Sequence, residues 1–537
     1  MSGVSLQVLD TDLLTEARGL AEGLVDDKVA SSVAAKDATL WGPDAESESS
    51  KRLNWVDLAS TSRPLVDTIT ALREKLRSAG IHRVVLAGMG GSSLAPEVIC
   101  RTEDVPLVVL DTTDAAQVED ALAGDLAATV LVVSSKSGST LETDSHYRIF
   151  SGRFTSEGLD PTEHIVVVTD PGSPLHERAE QAGLTVINAD PDVGGRYSAL
   201  TAFGLVPTGL AGVDIGRLLD DAAAAAEVLS VDSTDNPGLL LGAALGARHA
   251  AGAEKVVLAD TGSGIVGFGD WAEQLVAEST GKQGTGLLPV VVESVDAPGF
   301  ADAGPDATTV AVGPEAHGAR IATAGPLGGM FLLWEYATVV ASRLIGINPF
   351  DQPDVEAAKS AARALLDAPP GGDSRAAPNF TDGVIEVFGG DWLPATAHTV
   401  AEAVDALLAA APDRGYLAVQ AYLDRIADAS TAVLRAELAR RSGLQVTFGW
   451  GPRFLHSTGQ YHKGGHQNGV YLQITGSVPS DLAVPDRPYT LASLQLAQAS
   501  GDGRVLHERG RPVLRLHLTD REAGLAQLAG SVASPRG

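Results

Sequence analysis

The chain has 537 residues and a formal net charge of −29, and 44% of its residues are hydrophobic. This length predicts two or three domains with large buried cores. The acidic balance excludes a nucleic-acid-binding protein, because such proteins need a basic surface. We expect no signal peptide and no membrane-spanning segment, since no basic start precedes an apolar core and no apolar run is long enough.

Cysteine content restricts the chemistry further. The single cysteine, Cys100, cannot form an internal disulfide or a cysteine-based metal site. These features together favour a protein of the cytoplasm. An anionic ligand would have to be attracted by local positive groups against the field of the whole chain, so basic residues in glycine-rich loops are informative.

In chain order, residues 1–59 are predicted to be a helical N-terminal segment. From residue 84 onwards, short apolar runs alternate with amphipathic stretches, which is typical of a parallel sheet covered by helices on both faces. Residues 60–212 are therefore predicted to form a doubly wound α/β domain. Its predicted strands are 84–87, 106–110, 130–133, 165–168 and 184–187.

A second series of apolar runs predicts another mainly parallel α/β domain over residues 213–487, with a mixed C-terminal part. Both halves contain a strand, a Gly/Ser loop and a helix in turn, which favours a duplicated architecture. Residues 488–537 carry little chemical signal and are assigned to a C-terminal tail. The predicted strands of the second domain are 256–259, 288–292, 308–312, 416–423, 444–448 and 470–475.

The most informative segment is a hydroxyl-rich loop between a predicted strand and a predicted helix. The apolar run 130–133 leads into the sequence SSKSGST at 134–140, and an amphipathic pattern follows. Free N–H groups at a helix start, together with hydroxyls, would bind an anion, above all a phosphate monoester. Ser139 followed by Glu142 also matches a capping box, which is the structural alternative.

Two glycine-containing turns follow other predicted strands. The sequence GMGGSS at 88–93 would let the backbone approach a ligand, and its spacing excludes the dinucleotide-binding GxGxxG pattern. The sequence GGRYS at 194–198 places Arg196 at the carboxyl end of a strand, where open α/β sheets bind ligands. The structural alternatives are a tight turn for the first and a surface salt bridge for Arg196.

Three further segments carry titratable groups. Glu278 lies on a partly apolar helix face near the helix end at Gly281, where desolvation would raise its pKa as a general base requires. The alternative for Glu278 is a solvated structural role. Lys359 lies in the second turn of a predicted helix. His456, His462 and His466 cluster among glycines, and proton transfer by one histidine is favoured over a metal site because no carboxylate motif accompanies them.

Together these motifs resemble the phosphoglucose isomerase family, most closely the isomerase half of transaldolase–isomerase fusions. The matching segments occur in the family's order. They are residues 88–93, 135–143, 194–198, 278–286 and 348–359. The resemblance implies two sugar-isomerase-type α/β domains, which agrees with the strand pattern.

The resemblance also implies a role for each matching residue. Glu278 would transfer a proton between C1 and C2 of the sugar, and Arg196 would stabilise the cis-enediolate. Lys359 and a histidine would assist opening of the pyranose ring, and Glu142 would hydrogen-bond within the site. The residues implied to hold the phosphate are Ser135, Lys136, Ser137 and Thr140, and those implied to line the sugar are Gly91 and Ser92.

The sequence departs from the family in two places. Ser93 and Ala95 replace an aspartate and a glycine of the family's first turn. The family's histidine usually lies between the catalytic glutamate and lysine, in a segment like His-Ser-Leu-Gly-Gln-Tyr. Here the matching segment HSTGQY begins at His456, after Lys359, so His456 is assigned this role with His462 as the alternative. The C-terminal half is therefore predicted to be rearranged.

The resemblance implies reversible interconversion of glucose 6-phosphate and fructose 6-phosphate, a reaction of glycolysis and gluconeogenesis. It implies a homodimer, a sugar-phosphate substrate, and no metal or organic cofactor. Two alternatives stay open. The first is an isomerase of another phosphosugar, or one that also accepts mannose 6-phosphate. The second is a non-catalytic phosphosugar-binding protein of the same fold.

Overall fold

The computed structural model describes residues 3–366 and 377–533. The strands in these ranges form three β-sheets. Among the helices of these ranges, none combines the length and apolar composition that a bilayer crossing requires.

In chain order, the strands are β1 Ser5–Val8, β2 Arg83–Gly88, β3 Val108–Leu110, β4 Thr129–Ser134, β5 Ile165–Thr169, β6 Thr185–Asn188, β7 Lys255–Asp260, β8 Leu288–Val291, β9 Ala307–Val312, β10 Ile321–Ala324, β11 Phe380–Asp382, β12 Ile385–Phe388, β13 Tyr416–Tyr422, β14 Gln445–Trp450, β15 Gly469–Gly476 and β16 Val513–Leu518.

The α-helices are α1 Thr11–Asp26, α2 Val29–Ala34, α3 Pro43–Ser49, α4 Leu58–Thr61, α5 Pro64–Ser78, α6 Leu94–Thr102, α7 Ala115–Leu122, α8 Leu141–Ser156, α9 Pro161–His164, α10 Pro174–Gln181, α11 Ala202–Ala211, α12 Ile215–Leu229, α13 Pro237–Ala250, α14 Phe268–Thr280, α15 Leu327–Ile345, α16 Val355–Leu366, α17 Val400–Ala409, α18 Leu434–Ser442, α19 Gly459–Gly464, α20 Leu491–Glu508 and α21 Arg521–Ala533.

The first sheet is parallel throughout and has the order β3-β2-β4-β5-β6. Alternate residues of β2 enter two different hydrophobic cores: Val84 and Leu86 belong to one, and Val85 and Ala87 to the other. Both faces of the sheet are therefore covered, as the continuous apolar runs predicted. The doubly wound α/β class is confirmed here.

The second sheet has the order β1-β10-β9-β7-β8 and is parallel except at β1. Strand β1 pairs antiparallel with β10, so one short strand accompanies the helices of the N-terminal segment. Strand β1 has only four residues and one buried side chain, Val8. This pattern is too short to predict a strand from the sequence.

The third sheet has the order β11-β12-β16-β15-β13-β14. The strands predicted for residues 213–487 are therefore divided between two sheets. The segment predicted as a tail supplies β16, which lies between β12 and β15. In β16, Leu514, Leu516 and Leu518 alternate with half-buried residues and are fully buried, which is the period of a strand. The domain boundaries themselves stay predictions.

The third sheet packs directly on the second. Tyr416 of β13, Tyr461 of α19 and Tyr471 of β15 are fully buried in the same hydrophobic cluster as Val257 of β7 and Val290 of β8. Large aromatic side chains contribute much of the apolar area that such a contact removes from water. The shared cluster fixes α19, and the loop before it, next to the end of α14.

Helices α16 and α20 approach each other closely through a glycine. A Cβ at Gly501 of α20 would lie 2.8 Å from the backbone nitrogen of Ala362 in α16. A side chain at this position would have to push the two backbones apart, because real Cβ atoms do not come so near to main-chain atoms. Gly501 therefore sets the position of α16, which carries Lys359.

We predict that Gly501→Ala destabilises the chain by about 1–3 kcal/mol, since the added methyl overpacks the contact between α16 and α20. The matched control is Gly23→Ala in α1, where a Cβ would meet no heavy atom of the described residues within 4 Å. That variant should be neutral or stabilising by up to about 1 kcal/mol. Urea denaturation followed by circular dichroism measures both, and equal effects would contradict the close approach.

Candidate active site

The hydroxyl-rich loop lies between β4 and α8, as the sequence predicted. Helix α8 begins at Leu141, and the side chain of its N-cap residue, Thr140, makes no capping hydrogen bond. The capping box that Ser139 and Glu142 could have formed is therefore absent from this described helix start. N–H groups in a first helical turn lack intrahelical acceptors and attract anions.

Hydroxyl groups of the loop contact one another and the loop backbone. Ser135 Oγ accepts a hydrogen bond from the Gly138 nitrogen at 3.1 Å and lies 3.4 Å from Thr140 Oγ1. Ser137 Oγ lies 2.8 Å from Ser139 Oγ. Gly138 has a φ of +67°, and a Cβ there would collide with Leu175, so the turn requires glycine.

A cavity of about 260 Å³ lies against this loop. One wall is the end of the loop with the start of α8, and the opposite wall is α16. The polar residues that line it are Ser137, Ser139, Thr140, Glu142, Glu356, Lys359, Arg363, His456 and Gln498. Segments from the first-sheet region, from α16 and from the region of the third sheet therefore converge on one cavity.

Glu142 joins the first-sheet region to the third. The distance from Glu142 Oε1 to His456 Nε2 is 2.9 Å, and Gln498 Nε2 of α20 donates to the same oxygen at 2.7 Å. Burial alone would raise the pKa of Glu142, but the charge and the hydrogen bond of His456 lower it to about 2. Glu142 is therefore an anion that orients the histidine.

Glu278 lies near the end of α14 and is buried. Its Oε2 accepts hydrogen bonds from Gln274 Nε2 at 3.3 Å and from Arg196 Nη1 at 3.4 Å. Burial raises the pKa of Glu278 above its usual value, although Arg196, His456 and Lys359 oppose the shift. A carboxylate with a raised pKa is suited to act as a general base near neutral pH.

Gln274 links this carboxylate to the histidine segment. Its Nε2 also donates to the main-chain oxygen of His456 at 2.9 Å. The sequence analysis missed Gln274, and also missed Gln498 and Arg363, because no local motif distinguishes a glutamine or an arginine on a helix. Spacing was the one available signal. Gln274 precedes Glu278 by four residues, and Arg363 follows Lys359 by four residues.

Arg196 is buried and is held by the turn before α16. Its guanidinium donates to Gln352 Oε1 at 2.5 Å, to the Pro349 oxygen at 2.6 Å and to Ser279 Oγ at 2.9 Å. These bonds fix the side chain beside Glu278, so Arg196 is not in the surface salt bridge that was its structural alternative. Gln352 was not predicted from the sequence, because within residues 348–359 only Lys359 was singled out.

Lys359 lines the cavity, where its Nζ lies 2.9 Å from Glu356 Oε1. Of the two histidine candidates, His456 lines the cavity. His462 is buried beside Gln420, and burial lowers its pKa well below the usual value. His466 pairs with Glu254 at 3.1 Å. The structure therefore brings together Lys359 and His456, and leaves the other two histidines elsewhere.

Four predicted substrate contacts lie outside the cavity, since its described lining does not include Gly91, Ser92, Ser135 or Lys136. The Lys136 ammonium turns away to Asp170 at 2.8 Å and to the Pro191 oxygen at 2.9 Å. These acceptors engage its ammonium in this structure, and the contact of Lys136 with the phosphate stays a prediction.

Gly91 has a packing role. A Cβ at Gly91 would lie only 1.8 Å from the Gly195 oxygen, so the two glycine-containing turns are in direct backbone contact. Ser198 Oγ adds a hydrogen bond to the Gly91 oxygen at 3.3 Å. Gly91 is therefore required for the close approach that places Arg196, and Ser92 is half-buried beside it. Ser135 is buried behind the loop and supports it from within.

The lowered pKa of Glu142 predicts a pH-dependent contribution to stability. Because the pKa is about 2 in the folded chain and 4.5 ordinarily, the contribution is present above pH 4.5 and is lost as the pH falls towards 2. We expect Glu142→Gln to lower the free energy of unfolding by about 3 kcal/mol at neutral pH, and by much less at about pH 3.

Urea denaturation at both pH values measures this difference, and Glu157→Gln at an exposed position on the end of the same helix is the control. A gap between wild type and Glu142→Gln that stays constant over this pH range would contradict the ion pair.

The sheets and the loop define an α/β protein with the fold of the sugar isomerases. A crystal structure of a glucose-6-phosphate isomerase from Chlamydia trachomatis matches with a TM-score of 0.53 and 18% sequence identity. The match covers 68% of this chain and 89% of the other. At this identity the likeness establishes the fold alone, and it confirms the predicted fold class.

Sequence comparison adds relatives of moderate identity. A probable glucose-6-phosphate isomerase of Haloarcula marismortui is 38% identical over 215 residues, which are 39% of this chain and 49% of that protein. The chain thus matches about half the length of that relative. A glucose-6-phosphate isomerase of Rubrobacter xylanophilus is 28% identical over 387 residues, covering 57% of this chain and 88% of the relative. No family model matches the chain.

Proposed function

We propose that the chain is an aldose–ketose isomerase that interconverts glucose 6-phosphate and fructose 6-phosphate through a cis-enediolate. One observation carries the proposal. A buried base, Glu278, is connected to the hydroxyl-rich loop through Gln274, His456 and Glu142, with successive contacts of 3.3, 2.9 and 2.9 Å. Glu278 is not among the described residues that line the cavity, but this chain of contacts supports a single site for the base and the loop. The names of the relatives from Haloarcula and Rubrobacter support the same reaction.

In the proposed mechanism, the phosphate binds at the loop. Ser137, Ser139 and Thr140 line the cavity there, beside the start of α8. Hydroxyl donors and the positive end of a helix stabilise a dianion without requiring a lysine ammonium. The sugar then extends from the loop towards α14.

Ring opening requires a proton donor and an acceptor at the pyranose oxygens. His456 and Lys359 both line the cavity, and each has an acidic partner that orients it. We assign ring opening to this pair. Glu142, through its contact with His456 Nε2, acts as the positioning residue for the histidine.

Proton transfer is assigned to Glu278. It removes the proton from C2 of the open aldose and returns it to C1, so that no net proton is gained or lost. The developing negative charge on the enediolate oxygen lies beside Arg196, whose guanidinium is already oriented by its bonds to the turn before α16. A preoriented cation stabilises such charge without reorganising during the reaction.

We expect purified chain to form fructose 6-phosphate from glucose 6-phosphate in a coupled assay. Glu278→Gln should lower kcat by about 10²–10⁴-fold, because it removes the base while keeping a group of the same shape. The matched control is Glu273→Gln, five residues earlier on α14, which takes no part in the described contacts of Glu278 with Arg196 and Gln274. Sugar phosphate should still bind to Glu278→Gln in calorimetric titration.

Full activity in Glu278→Gln would refute the proposed base. A chain that binds sugar phosphate but turns over none would be the phosphosugar-binding protein of the alternative. A parallel assay with mannose 6-phosphate separates a strict glucose 6-phosphate isomerase from one with dual specificity. The same assay with an added chelator tests whether activity depends on a metal.

The raised pKa of Glu278 predicts the acid limb of the pH profile. The base must be deprotonated, so kcat/KM should fall as the pH decreases through a pKa that lies above the usual 4.5 of a glutamate. Initial rates measured from about pH 8 down to about pH 4 give this limb. A profile that stays flat to pH 4.5 would show that the acid-side group is not this carboxyl.

We also propose, following the resemblance, that the chain is a homodimer of the cytoplasm and corresponds to the isomerase half of the transaldolase–isomerase fusions. Light scattering of the purified chain tests the dimer, and an assay for transaldolase activity, which we expect to be absent, tests the correspondence.

A further inference from the structure

The cations around the cavity differ in whether an acidic side chain already neutralises them. Lys359 pairs with Glu356 at 2.9 Å, and His456 lies 2.9 Å from Glu142. Lys136, just behind the loop, pairs with Asp170 at 2.8 Å. Each of these three side chains has a carboxylate partner within the protein.

Arg363 differs from them. It lines the cavity, its side chain is exposed, and within residues 3–366 and 377–533 it forms no ion pair. Its one described hydrogen bond runs from Nη2 to the main-chain oxygen of Ser139, at 3.4 Å. This contact is long, so the guanidinium can exchange it for a stronger acceptor.

The position of Arg363 places its charge opposite the loop. Arg363 follows Lys359 by four residues on α16, so both side chains leave the same face of the helix and reach the same cavity. The contact with Ser139 brings the guanidinium to the hydroxyl-rich loop itself. The close approach of Gly501 to the backbone of Ala362 holds this part of α16 in place.

We propose that Arg363 is a substrate-binding residue that contacts the phosphate monoester from the α16 side, and that it supplies the cationic charge which the Lys136 ammonium does not. This inference rests on the proposed function. A guanidinium binds a phosphate through two parallel N–H···O bonds, and an arginine without a carboxylate partner loses no ion pair when it does so.

The charge of the whole chain supports this assignment. With a net charge of −29, the protein repels a dianionic substrate at long range. An arginine at the cavity that forms no ion pair among the described residues provides the local attraction that such a substrate needs. The loop then contributes hydroxyls and helix N–H groups, and Arg363 contributes the charge.

Inorganic phosphate is the probe that tests the site without relying on turnover. Calorimetric titration with phosphate should give a Kd that rises about 10- to 100-fold in Arg363→Ala, the usual cost of losing hydrogen bonds to a charged group. Arg363→Lys should recover part of this loss, because it restores the charge but not the paired bonds. Arg153→Ala, an exposed arginine on α8 outside the described lining, is the matched control.

Kinetics provide the second readout. If the chain is the isomerase, Arg363→Ala should raise KM for glucose 6-phosphate by a similar factor, with kcat changed by less than about threefold, since phosphate contacts are equal in the ground and transition states. A phosphate Kd equal to that of wild type would overturn the inference, and so would a lowered kcat with unchanged KM.

Failure of the proposed function is recognisable separately. If wild-type chain isomerises neither aldose phosphate, the proposed function fails, while the phosphate titrations still decide the role of Arg363. Thermal unfolding of each variant, expected to match wild type because the side chain is exposed, excludes a general loss of fold as the cause.

Discussion

The contact between Glu142 and His456 is the interaction on which the rest of the site depends. It is the point where a residue at the start of α8 meets a residue from the region of the third sheet, 314 positions later in the chain. Because the carboxylate is buried, its charge requires donors, and His456 and Gln498 both provide them. The same histidine segment is tied to α14 by Gln274. Removing this contact would leave an uncompensated buried anion and separate the base from the loop.

The arrangement of charges follows from the acidity of the chain. Most cations near the site are neutralised by carboxylates. The buried carboxyl group of Glu278 in α14 lies beside the guanidinium of Arg196, which its other hydrogen bonds hold in place. An acidic protein that binds an anion must therefore place its free positive charge selectively. In the proposed function, hydroxyls and main-chain N–H groups perform the rest of the recognition, and these groups are insensitive to the protein's net charge.

Much of the fold and part of the site could be predicted from the sequence. Local patterns were sufficient for the first sheet and for the loop after β4, since burial on both faces produces continuous apolar runs. The sequence could not indicate where Lys136 would find its partners, because Asp170 and Pro191 lie more than thirty residues away. Strand β16 was missed because residues 488–537 were assigned to a tail, although its alternating leucines have the period of a strand. Arg363 and Gln498 have no motif, and only the packing of α16 on α20 reveals them.

The interior position of β16 has a consequence for synthesis of the protein. β16 is the final strand of the described chain, yet it occupies a place between β12 and β15. Until the ribosome has released this strand, β15 exposes an unpaired edge, and the hairpin of β11 and β12 has nothing to join. The histidine-bearing region can therefore complete its sheet only after residues 513–518 have been synthesised. A nascent chain would hold a formed first sheet and an open third one, and this interval is when it most needs protection from aggregation.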